Sequence, residues 1–424
     1  MSSPALSPGH QRQPGPLPAV PKRFMDGTHR LVHPDETVDR MKPLLPLMGI
    51  TRIADVTGLD TLGVPVVMVT RPNARSISVS QGKGLTLAAA RASGLMESIE
   101  QWHAEHIHLP LKLGSVNELR HRHRLVDVHG LPRLSAATLH DDLRLFWVTG
   151  IDMGTGAPTW VPFEVVHTDF SLPLLAASGA LVMSSNGLAS GNHALEAVSH
   201  AVCELIERDA STLFRLSTPE ARRRRRVDLS TVDDAACRTI LDLMDRADVR
   251  AYVWDITSDI GVPTFGCGIV DRSPNAQRPL GPMMGFGCHP TRGVALLRAL
   301  TEAAQSRLTI ITGARDDVRA QGNGPEEDLG AARRFHAEHG ADPTERSFQD
   351  APSFLGETID EDVAWVIERL RAVGLHQIVA VDLTRAELSI PVMRVVVPGL
   401  ETLHDTPGYV PGARAKRRLS ERRS

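Results

Sequence analysis

Apolar positions along this chain alternate between a period of two and a period near 3.6. The runs 64–71, 76–80, 143–153, 249–257, 264–271, 376–384 and 390–398 are rich in β-branched residues and predict strands. Between them, 36–47, 86–107, 194–217, 231–246, 292–311 and 359–373 repeat apolar residues at helical spacing. The mixture predicts an α+β (mixed α/β) fold in which helices cover β-sheets.

Three of the predicted helices share a chemical irregularity. ARASGLMESIEQ carries Glu97 and Glu100, SHAVCELIERD carries Glu204 and Glu207, and LLRALTEAAQSR carries Glu302 and Gln305. In each, two oxygen-bearing side chains stand three residues apart and therefore project from one helix face. A single ExxE is ordinarily a solvated helix face. Here Glu97 and Glu204 interrupt positions that are otherwise apolar or small, three helices share the pattern, and burying a carboxylate is costly unless a cation or hydrogen bonds satisfy it. Three such helices converging would make an oxygen-lined cage for a hard divalent cation. Carboxylates without clustered His or Cys favour magnesium over zinc or copper. The first two helices also align with each other, Gly84 over Gly191, which fits either an internal repeat or similar helical patterning.

Gly-rich segments lead into the first two helices. SVSQGKG runs from a predicted strand through Gly82, Lys83 and Gly84, where backbone amides could approach an anion beside a helix N-terminus. It lacks the full Walker A spacing. NGLASGN is read as a loop that presents Asn192 to a phosphate, with Glu196 two turns before Glu204 and the Glu207-Arg208 pair suited to a metal and a phosphate. The HAEHIH run at 103–108 lacks the His-Glu-x-x-His order of a zinc helix and is read as a solvent-facing helix end. A GxSxG elbow is absent, and Cys203 lies in an apolar helix.

Composition narrows the classes further. With 424 residues, one large composite domain or two to three subdomains is expected. A net charge of -3 gives no reason to invoke nucleic acid, and no apolar run reaches the length of a membrane span. Aromatic residues make up only 4%, which argues against nucleobase-stacking platforms. The four scattered cysteines form no CxxC pair, so a reducing, cytoplasmic setting is expected. Residues 1–25 are Pro/Ser/Gly-rich and are expected to be disordered, a polar stretch at about 318–354 to be a surface insertion, and the basic residues 412–424 to be a solvated tail.

The segments SVSQGKGLTLAAARASGLMESIEQWHAE, NGLASGNHALEAVSHAVCELIERDA and RALTEAAQSRLTIITGARDD resemble the YcaO superfamily, in order and over residues 26–411. They are most similar to its TfuA-associated members. The resemblance implies a YcaO-type catalytic domain, with β-sheets and helices around a central ATP/Mg2+ cleft. It implies an enzyme that phosphorylates a peptide-backbone amide oxygen, giving an azoline with an internal Cys, Ser or Thr and a thioamide with external sulfide. By position it implies that Glu97, Glu100, Glu204 and Glu207 are metal ligands. Arg30, Thr37, Lys83, Asn192, Glu196, Arg208 and Arg298 would contact the nucleotide. Arg208, Arg298 and Glu302 would act in catalysis, with Gln305 and Arg307 as further third-motif candidates. It also implies a peptide or protein substrate, a TfuA-like partner and a homodimer. Two features depart from the family pattern. Gln101 replaces a basic residue that often follows the first ExxE, and the end of the chain lacks the Pro-x-Pro-x-Pro of many azoline formers, which favours the thioamide branch. A cyclodehydratase and a non-catalytic ATP-binding accessory subunit are the alternatives.

Overall fold

The computed structural model describes residues 19–136, 138–173, 179–275, 277, 279–314, 325–340, 346–402 and 406–422. Its organising element is a strand that runs into a helix, used three times. Val79–Lys83 leads into the Leu87–Glu105 helix, Leu188–Ser190 into Ala194–Leu216, and Met283–Cys288 into Arg292–Thr312. Each of these strands lies at the edge of an antiparallel sheet.

The first sheet pairs Arg52–Asp55, Val66–Thr70 and Val79–Lys83, and another pairs Val249–Asp255, Thr264–Asp271 and Met283–Cys288. A six-stranded sheet runs in the order Lys112–Gly114, Leu145–Asp152, Val379–Asp382, Val392–Val396 and Leu188–Ser190, with Pro158–Pro162 added against Leu145–Asp152. Its central strands alternate between two cores, as a period of two requires. Val379, Val381, Val392 and Val396 face a core shared with Leu95, Ile99 and Trp147. Ala380, Val395 and Val397 face a second core with Val198, Val202 and Ile206 of the middle acidic helix and with the Ile359–Ala372 helix. A third core joins the 249–288 sheet to the Ala235–Arg246 and Arg292–Thr312 helices.

Local chemistry sets the helix ends. Thr86 Oγ1 accepts the Ala89 N–H at 3.1 Å, a cap that starts the first acidic helix. Gly313, at φ +56°, ends the third in a left-handed turn. Glycine on the feeding strands lets helix and strand backbones touch. A Cβ on Gly82 would meet Ala90 O and Gly94 N, and one on Gly287 would meet Ala295 O and Ala299 N.

Five of the six predicted helices are found within a few residues of their expected ends; the one expected over 36–47 is an α-helix over Pro34–Met41, followed by a tighter turn at Lys42–Leu44. The segment expected as a Gly-rich loop also differs. Leu188–Ser190 is a strand, held by Val392–Arg394 across the sheet. The termini also differ from expectation. Residues 1–18 lie outside the described residues, yet 19–25 are packed. Val20 N–H donates to Asp360 Oδ1 at 2.9 Å, and the Lys22 ammonium lies 2.6 Å from Asp362 Oδ2. The basic tail is a helix, Ala413–Glu421. Arg414, 9% exposed, turns inward and pairs with Asp209 and Asp259, so burial of matched charge overrides solvation of the tail. Within the expected insertion, 318–324 and 341–345 lie outside the described residues. The Pro325–His339 helix nevertheless packs Ala332 and Phe335 on Tyr252 and Trp254. No helix among the described residues is long and apolar enough to cross a membrane.

Candidate active site

The three acidic helices line one cavity of about 640 Å³. Six glutamates and four cationic side chains face it: Glu97, Glu100, Glu196, Glu204, Glu207 and Glu302, with Arg30, Lys83, Arg208 and Arg298. Thr37, Asn192, Gln101 and Gln305 complete the polar wall. All the residues expected from the sequence to hold metal or nucleotide or to act in catalysis therefore share a single cleft. Arg307 does not. It is 1% exposed and points away from the cleft to Asp60 Oδ2 at 2.8 Å and Asp271 Oδ1 at 2.7 Å, a structural ion pair one helix turn beyond the site.

Several of the charged groups have identifiable partners. Glu100 accepts the Ser190 backbone N–H at 2.8 Å and the Ser190 hydroxyl at 2.7 Å. Burial nevertheless pushes its carboxyl up to about 8; the Ser190 bonds oppose the rise, and Glu97 and Glu204 add to it. Glu204 accepts the Gly187 N–H at 2.9 Å. Arg208 reaches Glu204 at 3.6 Å and Glu207 at 3.4 Å. Burial also raises Glu207, to about 7, against the pull of Arg208 and with Glu302 and Glu204 pushing the same way as burial. On the third helix burial works against ionisation of Glu302, but Lys83, 2.7 Å away, and Arg208 hold its carboxyl below the ordinary value.

The nucleotide-side candidates form a second tier around Asn192 and Glu196. Glu196 accepts the N–H groups of Leu31 and Asn192, so the residue that follows Arg30 is tied to the middle helix. Thr37 Oγ1 and Asn192 Nδ2 are 3.0 Å apart, and Arg40 donates to Asn192 Oδ1 at 3.1 Å. The strap 19–31 thus carries Arg30 into the cleft. It is fastened by Lys22, His29 and Asp362, near His289. The ligand atoms of the last three lie within 4.8 Å of one another. The arrangement suits an anchor better than a metal, because Lys22 already matches the Asp362 charge and His289 Nδ1 accepts the Thr291 N–H.

Sequence reasoning missed several lining residues. His200 accepts from Arg298 Nη2 at 2.8 Å; burial, Arg298 and Arg30 all lower its pKa, so it stays neutral. Its place one helical turn before Glu204 was a usable signal. Ser190 and Gln81 carried none. His103 was expected to face solvent but is fully buried, its Nδ1 at 2.8 Å from Ile99 O.

The donor set fits a hard divalent cation. Glu97, Glu100, Glu204 and Glu207 offer only oxygens, and the carboxyls of Glu100 and Glu207, raised first by burial and then by neighbouring glutamates, carry a cost that a cation would relieve. Beside them, three arginines and a lysine supply donors of the kind that suits phosphate. A cleft of this lining between antiparallel sheets belongs to a class that takes a nucleotide together with its metal.

The chain belongs to the YcaO cyclodehydratase family, described as ATP- and Mg2+-binding, whose pattern matches residues 81–401. It is 36% identical over 376 residues to an uncharacterized protein encoded in the tfuA 3' region of Rhizobium leguminosarum bv. trifolii, covering 88% of each chain. This agrees with the resemblance to the TfuA-associated type. Among solved structures, the fold is similar to a heterocyclase in complex with substrate and cofactor, with TM-score 0.74 and 22% identity. The match covers 92% of this chain and 55% of that one, so this chain spans about half the length of the heterocyclase. It is also similar to YcaO from Methanopyrus kandleri bound with AMPPCP and Mg2+, with TM-score 0.72 and 23% identity over 93% of this chain and 100% of that one.

Proposed function

We propose that this protein uses ATP and Mg2+ to activate a peptide-backbone amide and converts it to a thioamide, with a TfuA-like partner. The convergence of the three acidic helices with Arg30, Arg208 and Arg298 in one cavity carries the reading. The relative encoded beside tfuA supports the thioamide branch.

In this reading Glu97, Glu100, Glu204 and Glu207 hold the metal, while Arg30, Thr37, Lys83, Asn192 and Glu196 position the nucleotide. Bound Mg2+ supplies charge neutralisation at the phosphates. The amide oxygen attacks the terminal phosphorus and ADP leaves. Hydrosulfide then adds to the activated carbon, the carbon–oxygen bond breaks with departure of phosphate, and the S–H proton leaves with that phosphate. An amide oxygen is a poor leaving group, and phosphorylation removes that obstacle. The protein's task is then to position reactants and stabilise charge. Arg298 is oriented by neutral His200 and Arg208 by two glutamates, so both present fixed donors to negative charge as it develops. Lys83 keeps Glu302 ionised in the cleft.

Azoline formation on Cys, Ser or Thr is the second reading, favoured by the likeness to a heterocyclase. Intact mass analysis of a candidate peptide incubated with this protein, ATP, Mg2+, sulfide and the TfuA-like partner separates the two. Exchange of oxygen for sulfur, dependent on ATP and lost without the partner, is expected. Loss of one water would move the protein to the azoline branch. An unmodified peptide with ATP unspent would leave an accessory ATP-binding role and refute both. Size-exclusion with light scattering tests the homodimer that goes with this family reading.

A further inference from the structure

Arg394 occupies a position that the strand pattern reserves for an apolar side chain. Val392 and Val396, two residues to either side, lie in the core beneath the first acidic helix, and Arg394 between them is 2% exposed. Its Nη2 donates to Ser184 O at 2.7 Å. Its Nε and Nη1 are buried and find no acceptor among the described residues. A buried guanidinium with unused donors calls for a missing partner.

A second cavity lies against this side chain. It measures about 50 Å³ and is lined by Arg394 and Arg208, by the apolar Leu131, Val165 and Leu205, and by Asn186. Arg208 lines the main cleft as well, so it borders both spaces. The Arg208 Nε is also buried without an acceptor. The nearby carboxylates are committed elsewhere. Glu204 takes the Gly187 N–H and pairs with Arg208, while Glu401, which also lines the cavity, accepts from Tyr409, Gly412 and Ala415. Burial lowers Arg394 to about 10 with Glu204 opposing, so the guanidinium remains charged at neutral pH.

We infer that this cavity is a binding site for a small, singly charged anion, and that its ligand is the hydrosulfide consumed by the reaction. The second part rests on the thioamide reading of the main site. Two orphaned donors on a guanidinium fixed by Ser184, with the cationic Arg208 beside them, select negative charge. The volume admits a ligand of one or two heavy atoms, given that a water molecule takes up about 30 Å³ of liquid. The largely apolar wall makes a doubly charged phosphate costly to desolvate, whereas a polarisable monovalent anion loses less on leaving water. Contact with Arg208 places the ion beside a side chain that also borders the cleft where the amide would be activated.

Two measurements test this separately. Crystals of the full chain soaked in bromide should show an anomalous peak within hydrogen-bond distance of Arg394 Nε and Nη1, absent in Arg394→Met. Ordered water there without bromide, or a peak that persists in the variant, would overturn the anion site whatever reaction the enzyme performs. In the thioamidation assay, Arg394→Met should raise the KM for sulfide about tenfold, the loss of one charge-assisted contact, with the KM for ATP nearly unchanged. Should the methionine variant fail to fold by thermal melting, Arg394→Lys keeps the charge but loses the fork and should show a smaller rise. Wild-type thioamide formation with an unaltered sulfide KM in the folded variant would refute hydrosulfide as the ligand. Failure of the wild type to make thioamide would instead refute the reading of the main site, and the bromide result would still judge the anion pocket.

Discussion

Glu100→Gln separates what the acidic cage costs the fold from what it does for the ligand. The glutamine carbonyl can accept the same two hydrogen bonds from Ser190, so the side chain keeps its place while the charge is removed. The wild-type carboxyl is pushed from 4.5 to about 8, chiefly by burial. At about 1.4 kcal/mol per pH unit, ionising it would cost the metal-free fold roughly 5 kcal/mol in a dry site. Glu100 is only half-buried and opens to the cavity, and solvent screening reduces this to about 2 kcal/mol. The sign follows from an acid whose folded pKa is raised. The penalty is absent below about pH 4.5, grows as pH rises, and is complete above about 8. Without metal, the glutamine variant should therefore melt about 2 °C above wild type at pH 8.5, and the difference should shrink towards pH 5.5. Adding Mg2+ with a non-hydrolysable ATP analogue should reverse the order, because wild type alone keeps the full ligand charge. Product formation should fall about a hundredfold. Differential scanning calorimetry at the two pH values, with and without ligand, reads all of this. A variant no more stable than wild type at pH 8.5 without metal, or one that gains as much from the metal-nucleotide, would refute the reasoning.

Other perturbations probe separate parts of the structure. Glu204→Ala removes a carboxylate from the cage and should lower ATP-dependent product formation a hundredfold or more, with far-UV circular dichroism unchanged. Lys83→Met leaves Glu302 without its closest cation and should reduce turnover by about tenfold or more in an ADP-release assay; Lys83→Arg should restore part of it. Arg414→Ala strips Asp209, which is fully buried, of its counter-charge and should destabilise the fold by about 3–5 kcal/mol, seen as a lowered Tm. An unchanged Tm would mean the C-terminal helix is only loosely held.

The period of the apolar positions depends on neighbours a few residues away, and it located the long helices and the central strands. It also set Glu97 and Glu204 among apolar or small positions, and the three-residue spacing shared by three helices added Glu100, Glu207 and Glu302, which is why the cage residues were legible. Short edge strands were not. Leu188–Ser190 is set by pairing with Val392–Arg394 far along the chain and Met283–Cys288 by pairing with Thr264–Asp271 across a loop, and three to six residues beside glycines carry too little pattern to announce themselves. The same limit holds for three arginines. Arg307, Arg394 and Arg414 look alike as letters, but one meets Asp60 and Asp271, one faces a small cavity with unused donors, and one meets Asp209 and Asp259. Whether a charge serves a ligand or the fold is settled by what stands opposite it in space. Local sequence determined the helices and the charges they carry; only tertiary packing decided that three edge strands would aim those charges into one cleft.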